Sequence, residues 1–422
     1  MVTDLDSIFS DMSKRSKRSV IREILKLTQQ PDIISFAGGL PAPKSFPIDD
    51  LKEIVNRVLY EDGPAALQYD ATEGVKELRE TLVKKYQLEG VDCSVDNLII
   101  TTASQQGLDL LGKTFINKGD KVICSLPSYL GGISAFMSYG AEMVGIQLDE
   151  NGMRSDMLED VLLKMKNQGE KPKFIYIIPD FQNPTGITMP KQRRLDIIKI
   201  AIKYDVLIVE DSPYREIRFE GKHEPMIYQL DNTGQVITLG TFSKIVAPGF
   251  RIGWILAHPK ILDKIVVLKQ SADLCTATFV QKIAAKYMQS PHFEINLKHT
   301  IKMYRQRRDI MLAGFKRHMP KEVSWTEPEG GLFLFVTLPH YIDAQELFYK
   351  AVEKKVAFVI GTVFYADGSG ENTMRLNFSF VNNEKNREGV KRLAEVIKEE
   401  ISAYNRIKVL TKISRRQLTG GS

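Results

Sequence analysis

Residues 238–254 read TLGTFSKIVAPGFRIGW, and their spacing decides how the rest of the chain is understood. Val236 to Leu239 form a short β-branched and apolar run, which predicts a buried strand. The Gly240 to Ser243 turn then puts Lys244 at the strand's carboxyl end, the edge along which open α/β sheets bind ligands. Thr241 and Ser243 supply hydroxyl donors beside it, and Arg251 supplies a planar fork suited to a phosphate. A partly desolvated amine forms a Schiff base with an aldehyde, so Lys244 is the candidate nucleophile. A lone loop lysine is ordinarily a solvated charge. The reading therefore depends on whether other segments deliver the remaining groups that a phosphate-bearing aldehyde needs.

Those segments are found along an alternating pattern. From Asn97 onward, strand-like runs at 98–101, 121–125, 143–148, 174–178, 206–209 and 236–239 are interleaved with helical stretches at 106–115, 158–166 and 192–204. Such alternation predicts an α/β fold with a mostly parallel sheet covered by helices. After Trp254 the periodicity predicts long helical regions at 262–286 and 292–317. A smaller α+β C-terminal domain follows, with a strand at 331–338, a helix at 344–354, strands near 356–360 and 374–380 and a helix at 385–404. The expected division is an arm with a helix at 1–45, a large domain at 46–290, a small domain at 291–410 and a basic, flexible tail at 411–422.

Composition excludes several classes. Apolar content of 43% and charged content of 26% are ordinary for a globular chain of 422 residues. Most of the net charge of +6 comes from Arg406, Lys408, Lys412, Arg415 and Arg416, so no nucleic-acid partner is expected. No apolar run approaches a membrane span, and the N-terminus lacks a signal-peptide core. Cys93, Cys124 and Cys275 are odd in number and widely spaced, which argues against disulfides or zinc and for a reducing cytoplasm. Scattered histidines give no metal site.

Four further segments end predicted strands with chemistry. ASQQGLDL at 103–110 places Ser104 and Gln105 at a helix N-terminus, where free amides bind anions. LPSY ends in Tyr129, an aromatic able to lie on a flat ring. NPTG at 183–186 begins with Asn183, and alone it reads as a turn. EDSPY at 210–214 carries Asp211 and Tyr214; a carboxylate closing a buried strand needs a partner, and a pyridinium nitrogen is one.

Together with SFAGGLPAP at 35–43, ALQYD at 66–70 and MRLNFSF at 374–380, these motifs resemble those of the fold type I pyridoxal-phosphate aminotransferases. The resemblance is strongest to the branch of 2-aminoadipate and kynurenine aminotransferases and spans about Ile21 to Phe380. It implies pyridoxal 5'-phosphate as cofactor and a homodimer with shared active sites. Lys244 then becomes the Schiff-base lysine and proton shuttle, and Asp211 the partner of the pyridine nitrogen. Asn183 and Tyr214 hold the ring hydroxyl, and Tyr129 stacks on the ring. Ser104, Gln105, Thr241, Ser243 and Arg251 hold the phosphate, with Tyr69 reaching it from the other subunit. Arg375 clamps the substrate α-carboxylate, aided by Asn183 and Gly39, and the bond before Pro184 is expected to be cis.

The implied activity moves an amino group from an L-amino acid to a 2-oxo acid such as 2-oxoglutarate, with ping-pong kinetics. Arg22 matches the position that meets an acidic side chain, favouring 2-aminoadipate or glutamate, with leucine or aromatic chains accepted. A β-lyase or decarboxylase on the same scaffold is the alternative. A transcription regulator is disfavoured, since about 30 residues precede the resemblance, too few for a winged helix-turn-helix.

Overall fold

The computed structural model describes residues 4–16, 30 and 32–419. Its largest sheet has eight strands in the spatial order Leu98–Thr101, Gly253–Leu256, Val236–Thr241, Leu207–Asp211, Phe174–Ile177, Lys121–Leu126, Glu142–Asp149 and Gly152–Met153. The four contacts from Val236–Thr241 to Glu142–Asp149 are parallel, whereas Gly253–Leu256 runs antiparallel to both neighbours. Continuous apolar runs such as Phe174–Ile177 are buried at every position, as strands covered on both faces require. The six predicted strands are all present, within one or two residues at each end.

Several elements of this layer depart from the sequence reading, among them the two-residue strand Gly152–Met153. The Gly253–Leu256 strand begins at the end of the quoted lysine motif and was not separated from it. A helix at Leu130–Ser138 also went unpredicted, because Gly131 and Gly132 weaken its local helical signal. Gly132 is nonetheless fitted to its place: a Cβ there would lie 2.8 Å from the Tyr176 ring.

The predicted helical region 262–286 is two helices, Pro259–Gln270 and Thr278–Gln289, separated at Leu274 by a left-handed backbone of φ 62°. Beyond the Pro291–His318 helix, a four-stranded antiparallel sheet forms in the order Ser324–Trp325, Phe333–Thr337, Thr373–Asn377, Val359–Ile360. Ile34–Ser35 pairs in parallel with Val356–Ala357, tying the N-terminal segment to this part of the chain. The last helix, Asn383–Thr419, does not stop near Tyr404. It runs on into the basic segment expected as a flexible tail, because no proline interrupts it and its single glycine, Gly389, lies in the second turn. The helix expected before Pro31 falls outside the described residues.

Candidate active site

The carboxyl ends of the strands Leu98–Thr101, Lys121–Leu126, Phe174–Ile177, Leu207–Asp211 and Val236–Thr241 open onto a cavity of about 500 Å³, which the small sheet closes with Phe333 and Arg375. Among the described residues, every predicted site residue lines it except Tyr69. Tyr69 is 76% exposed and sits apart, on a surface shared with Leu67 and Phe279. One chain does not bring it to the others. Arg22 lies outside the described residues.

Asp211 ends its strand at 2% exposure. The Tyr176 hydroxyl donates to Asp211 Oδ2 at 2.8 Å, while Asp211 Oδ1 is buried with no partner among the described residues. Burial pushes this carboxyl up to about 7, against the pull of the tyrosine hydrogen bond. Lys244 is half-buried, and its Nζ donates to the Gly39 carbonyl at 2.9 Å. Desolvation, helped by the charges of Arg375 and Arg251, brings the amine down to about 8, so a large fraction is neutral near pH 8.

Arg375 lies in the Thr373–Asn377 strand at 2% exposure. Its Nη1 donates to Asn183 Oδ1 and its Nη2 to the Ala37 carbonyl, both at 2.9 Å, and its guanidinium sits 4.2 Å from the Phe333 ring centroid. Nε is buried without a partner among the described residues, and burial brings the group down to about 10. Asn183 precedes a cis bond to Pro184, as expected, and its Nδ2 donates to the Tyr214 hydroxyl at 3.4 Å. Leu126–Pro127 is cis as well, which the sequence did not suggest. Gln182 braces this loop by donating to the Pro127 carbonyl at 2.8 Å and accepting from the Thr185 amide at 2.9 Å.

At the anion end, the Ala103–Phe115 helix begins at the cavity, so its first amides have no helical acceptors. The Thr241 hydroxyl donates to Ser243 Oγ at 2.9 Å. Arg251 adopts a left-handed backbone of φ 50° and is exposed along the rim. Gly253 lets the start of the Ala103–Phe115 helix approach: a Cβ there would stand 2.5 Å from the Ser104 amide nitrogen. Tyr129 precedes the Leu130–Ser138 helix, with its hydroxyl 3.5 Å from Gln105 Oε1.

Sequence reasoning missed Tyr176, Gln182 and Phe333. Tyr176 is hidden in the apolar run FIYII, and only the pairing of Tyr176 with Val209 in the adjacent strand reveals its neighbour Asp211.

This arrangement suits a flat, anionic aldehyde. A reactive amine, an anion cradle of amides and hydroxyls, and a carboxylate oxygen awaiting an N–H donor stand around one cavity. The orphaned Asp211 Oδ1 is the specific mark, because it suits a protonated ring nitrogen.

The chain belongs to the family of class I and II aminotransferases, whose model matches residues 32–393. It is 47% identical over 400 residues to the aromatic-amino-acid aminotransferase 1 of Thermococcus litoralis, covering 94% of this chain and 96% of that one. A kynurenine aminotransferase of Pyrococcus horikoshii, solved in complex with PMP, superposes with a TM-score of 0.91 at 46% identity, covering 94% and 98% of the two chains. The α-aminoadipate aminotransferase of Thermus thermophilus, complexed with N-(5'-phosphopyridoxyl)-L-leucine, superposes with a TM-score of 0.87 at 38% identity, covering 95% and 100%. The protein is thus an enzyme that transfers amino groups, and its family implies pyridoxal phosphate. Among the described residues no group of His, Cys, Asp and Glu is placed to hold a metal ion, and no helix is long and apolar enough to cross a membrane.

Proposed function

We propose that this enzyme uses pyridoxal 5'-phosphate, held by the residues of the cavity, to move amino groups from L-amino acids to 2-oxo acids such as 2-oxoglutarate. The observation that carries the reading is that Asp211, which lines the same cavity as Lys244, keeps a buried Oδ1 with no partner among the described residues. When bound, the cofactor supplies an aldehyde that condenses with amines and a ring that withdraws electrons from the substrate α-carbon.

The chain's own groups do the rest. Asp211 accepts from the ring N–H, while Asn183 and Tyr214 hold the ring hydroxyl and Tyr129 covers one face. The amides of Ser104 and Gln105 and the side chains of Thr241, Ser243 and Arg251 hold the phosphate. Lys244, with an amine neutral enough to act as a base near pH 8, takes the α-proton and returns it one carbon away. Arg375 exchanges its Ala37 contact for the α-carboxylate, binding it beside Asn183 and Gly39. One site serves both half-reactions, so the kinetics are ping-pong.

The donor range includes 2-aminoadipate, glutamate, leucine and aromatic chains, a breadth supported by relatives named for aromatic, kynurenine and aminoadipate substrates. Arg22 meets acidic side chains. Tyr69 reaches the phosphate of a second copy in a homodimer, which its exposure favours. Three free cysteines suit a cytoplasmic setting. Incubation with a donor panel and 2-oxoglutarate is the test, and each accepted donor should yield glutamate in equal amount to its 2-oxo acid. Ammonia or carbon dioxide release without matching glutamate would overturn transamination as the outcome.

A further inference from the structure

Asp211 has two carboxylate oxygens in different circumstances. Oδ1 is the orphan assigned above to the cofactor, whereas Oδ2 receives the Tyr176 hydroxyl at 2.8 Å. Tyr176 does not line the cavity. It lies in the strand beside that of Asp211, fully buried, with its ring edge-on to Phe136 at 5.4 Å and its hydroxyl beneath Gly132. We propose that Tyr176 is a positioning residue that acts through Asp211: its O–H fixes the carboxylate with Oδ1 turned to the cavity and biases the proton shared with the cofactor toward the ring nitrogen.

The inference rests on the cofactor reading above, and three observations support it. Tyr176 is the only side-chain donor to Asp211 among the described hydrogen bonds, and it engages one of the two carboxylate oxygens. A hydrogen bond to an ionised acceptor favours the ionised form, and a carboxylate that stays ionised leaves the proton on nitrogen. Burial drives the Tyr176 phenol well above its ordinary range, so it keeps its proton and serves as a donor. The ring's capacity to withdraw electrons depends on that nitrogen being protonated. A residue that never meets cofactor or substrate would thereby set the rate of proton removal at the α-carbon.

The test is Tyr176→Phe, which keeps the ring and removes one oxygen. Wild type and variant are loaded with cofactor labelled with ¹⁵N in the ring, and the nitrogen resonance is read directly. In the variant it should move from the pyridinium toward the neutral-pyridine position. kcat should fall roughly ten- to a hundredfold, the effect of losing one hydrogen bond to a charged group, with donor KM changed less than about threefold. In an Asp211→Asn background the same substitution should lower kcat no further. An unchanged resonance in Tyr176→Phe overturns the proposal, as does a variant that unfolds or cannot retain cofactor at saturating concentration, which would show a structural role. If wild type itself gives no pyridinium resonance, the assignment of Asp211 to the ring nitrogen fails instead.

Discussion

Arg375 Nη1 donates to Asn183 Oδ1 at 2.9 Å, joining the small sheet to the loop that follows the Phe174–Ile177 strand. The contact holds the guanidinium against the Phe333 ring, and Nε is buried with no partner among the described residues. A planar fork with unused donor capacity fits a carboxylate, and an ammonium cannot reproduce that geometry.

Arg375→Lys should therefore lower kcat/KM for amino donors on the order of a hundredfold, mostly through KM, with cofactor still bound. Steady-state kinetics beside the cofactor absorption spectrum check this. An unchanged KM would remove Arg375 from carboxylate binding.

Asp211 makes a prediction about pH. Its folded carboxyl titrates near 7 against an ordinary value of 3.8, because burial disfavours the charge. Its contribution to the cofactor-free protein is present below pH 3.8 and is lost as pH rises through 7. Asp211→Asn should accordingly gain stability relative to wild type between pH 5 and pH 8, by up to roughly 4 kcal/mol over the whole titration. Denaturant unfolding of both cofactor-free proteins at the two pH values measures the difference. A difference independent of pH would contradict the assigned environment.

Gly253 couples stability to the anion cradle. A Cβ would meet backbone on two sides, the Ser104 nitrogen at 2.5 Å and the Gly240 oxygen at 2.8 Å, so no side chain can rotate away to relieve it. Gly253→Ala should cost about 1–3 kcal/mol and weaken cofactor binding at least about tenfold, because the shifted Ser104 amide is one of those proposed to hold the phosphate. Thermal melting and cofactor titration report the two effects. Loss of stability with intact affinity would separate Gly253 from the cradle.

Lys244, Asp211, Asn183 and Ser104 were legible in the sequence for one physical reason. Each follows an apolar run, and parallel strands bring such ends to a single edge. The antiparallel Gly253–Leu256 strand was hidden because its apolar residues continue the lysine motif without a break. Tyr176 was hidden because its importance lies in register with a distant strand, which local pattern does not carry. Tyr69 was legible as a motif residue, yet in one chain it is exposed and stands apart from the cavity.

The central claim is that Lys244 carries the cofactor's aldehyde. Borohydride reduction of the loaded enzyme, followed by peptide mapping, should place one stable phosphopyridoxyl adduct on Lys244, and Lys244→Ala should abolish both adduct and turnover. An adduct of equal yield on another lysine, surviving in Lys244→Ala, would contradict the account.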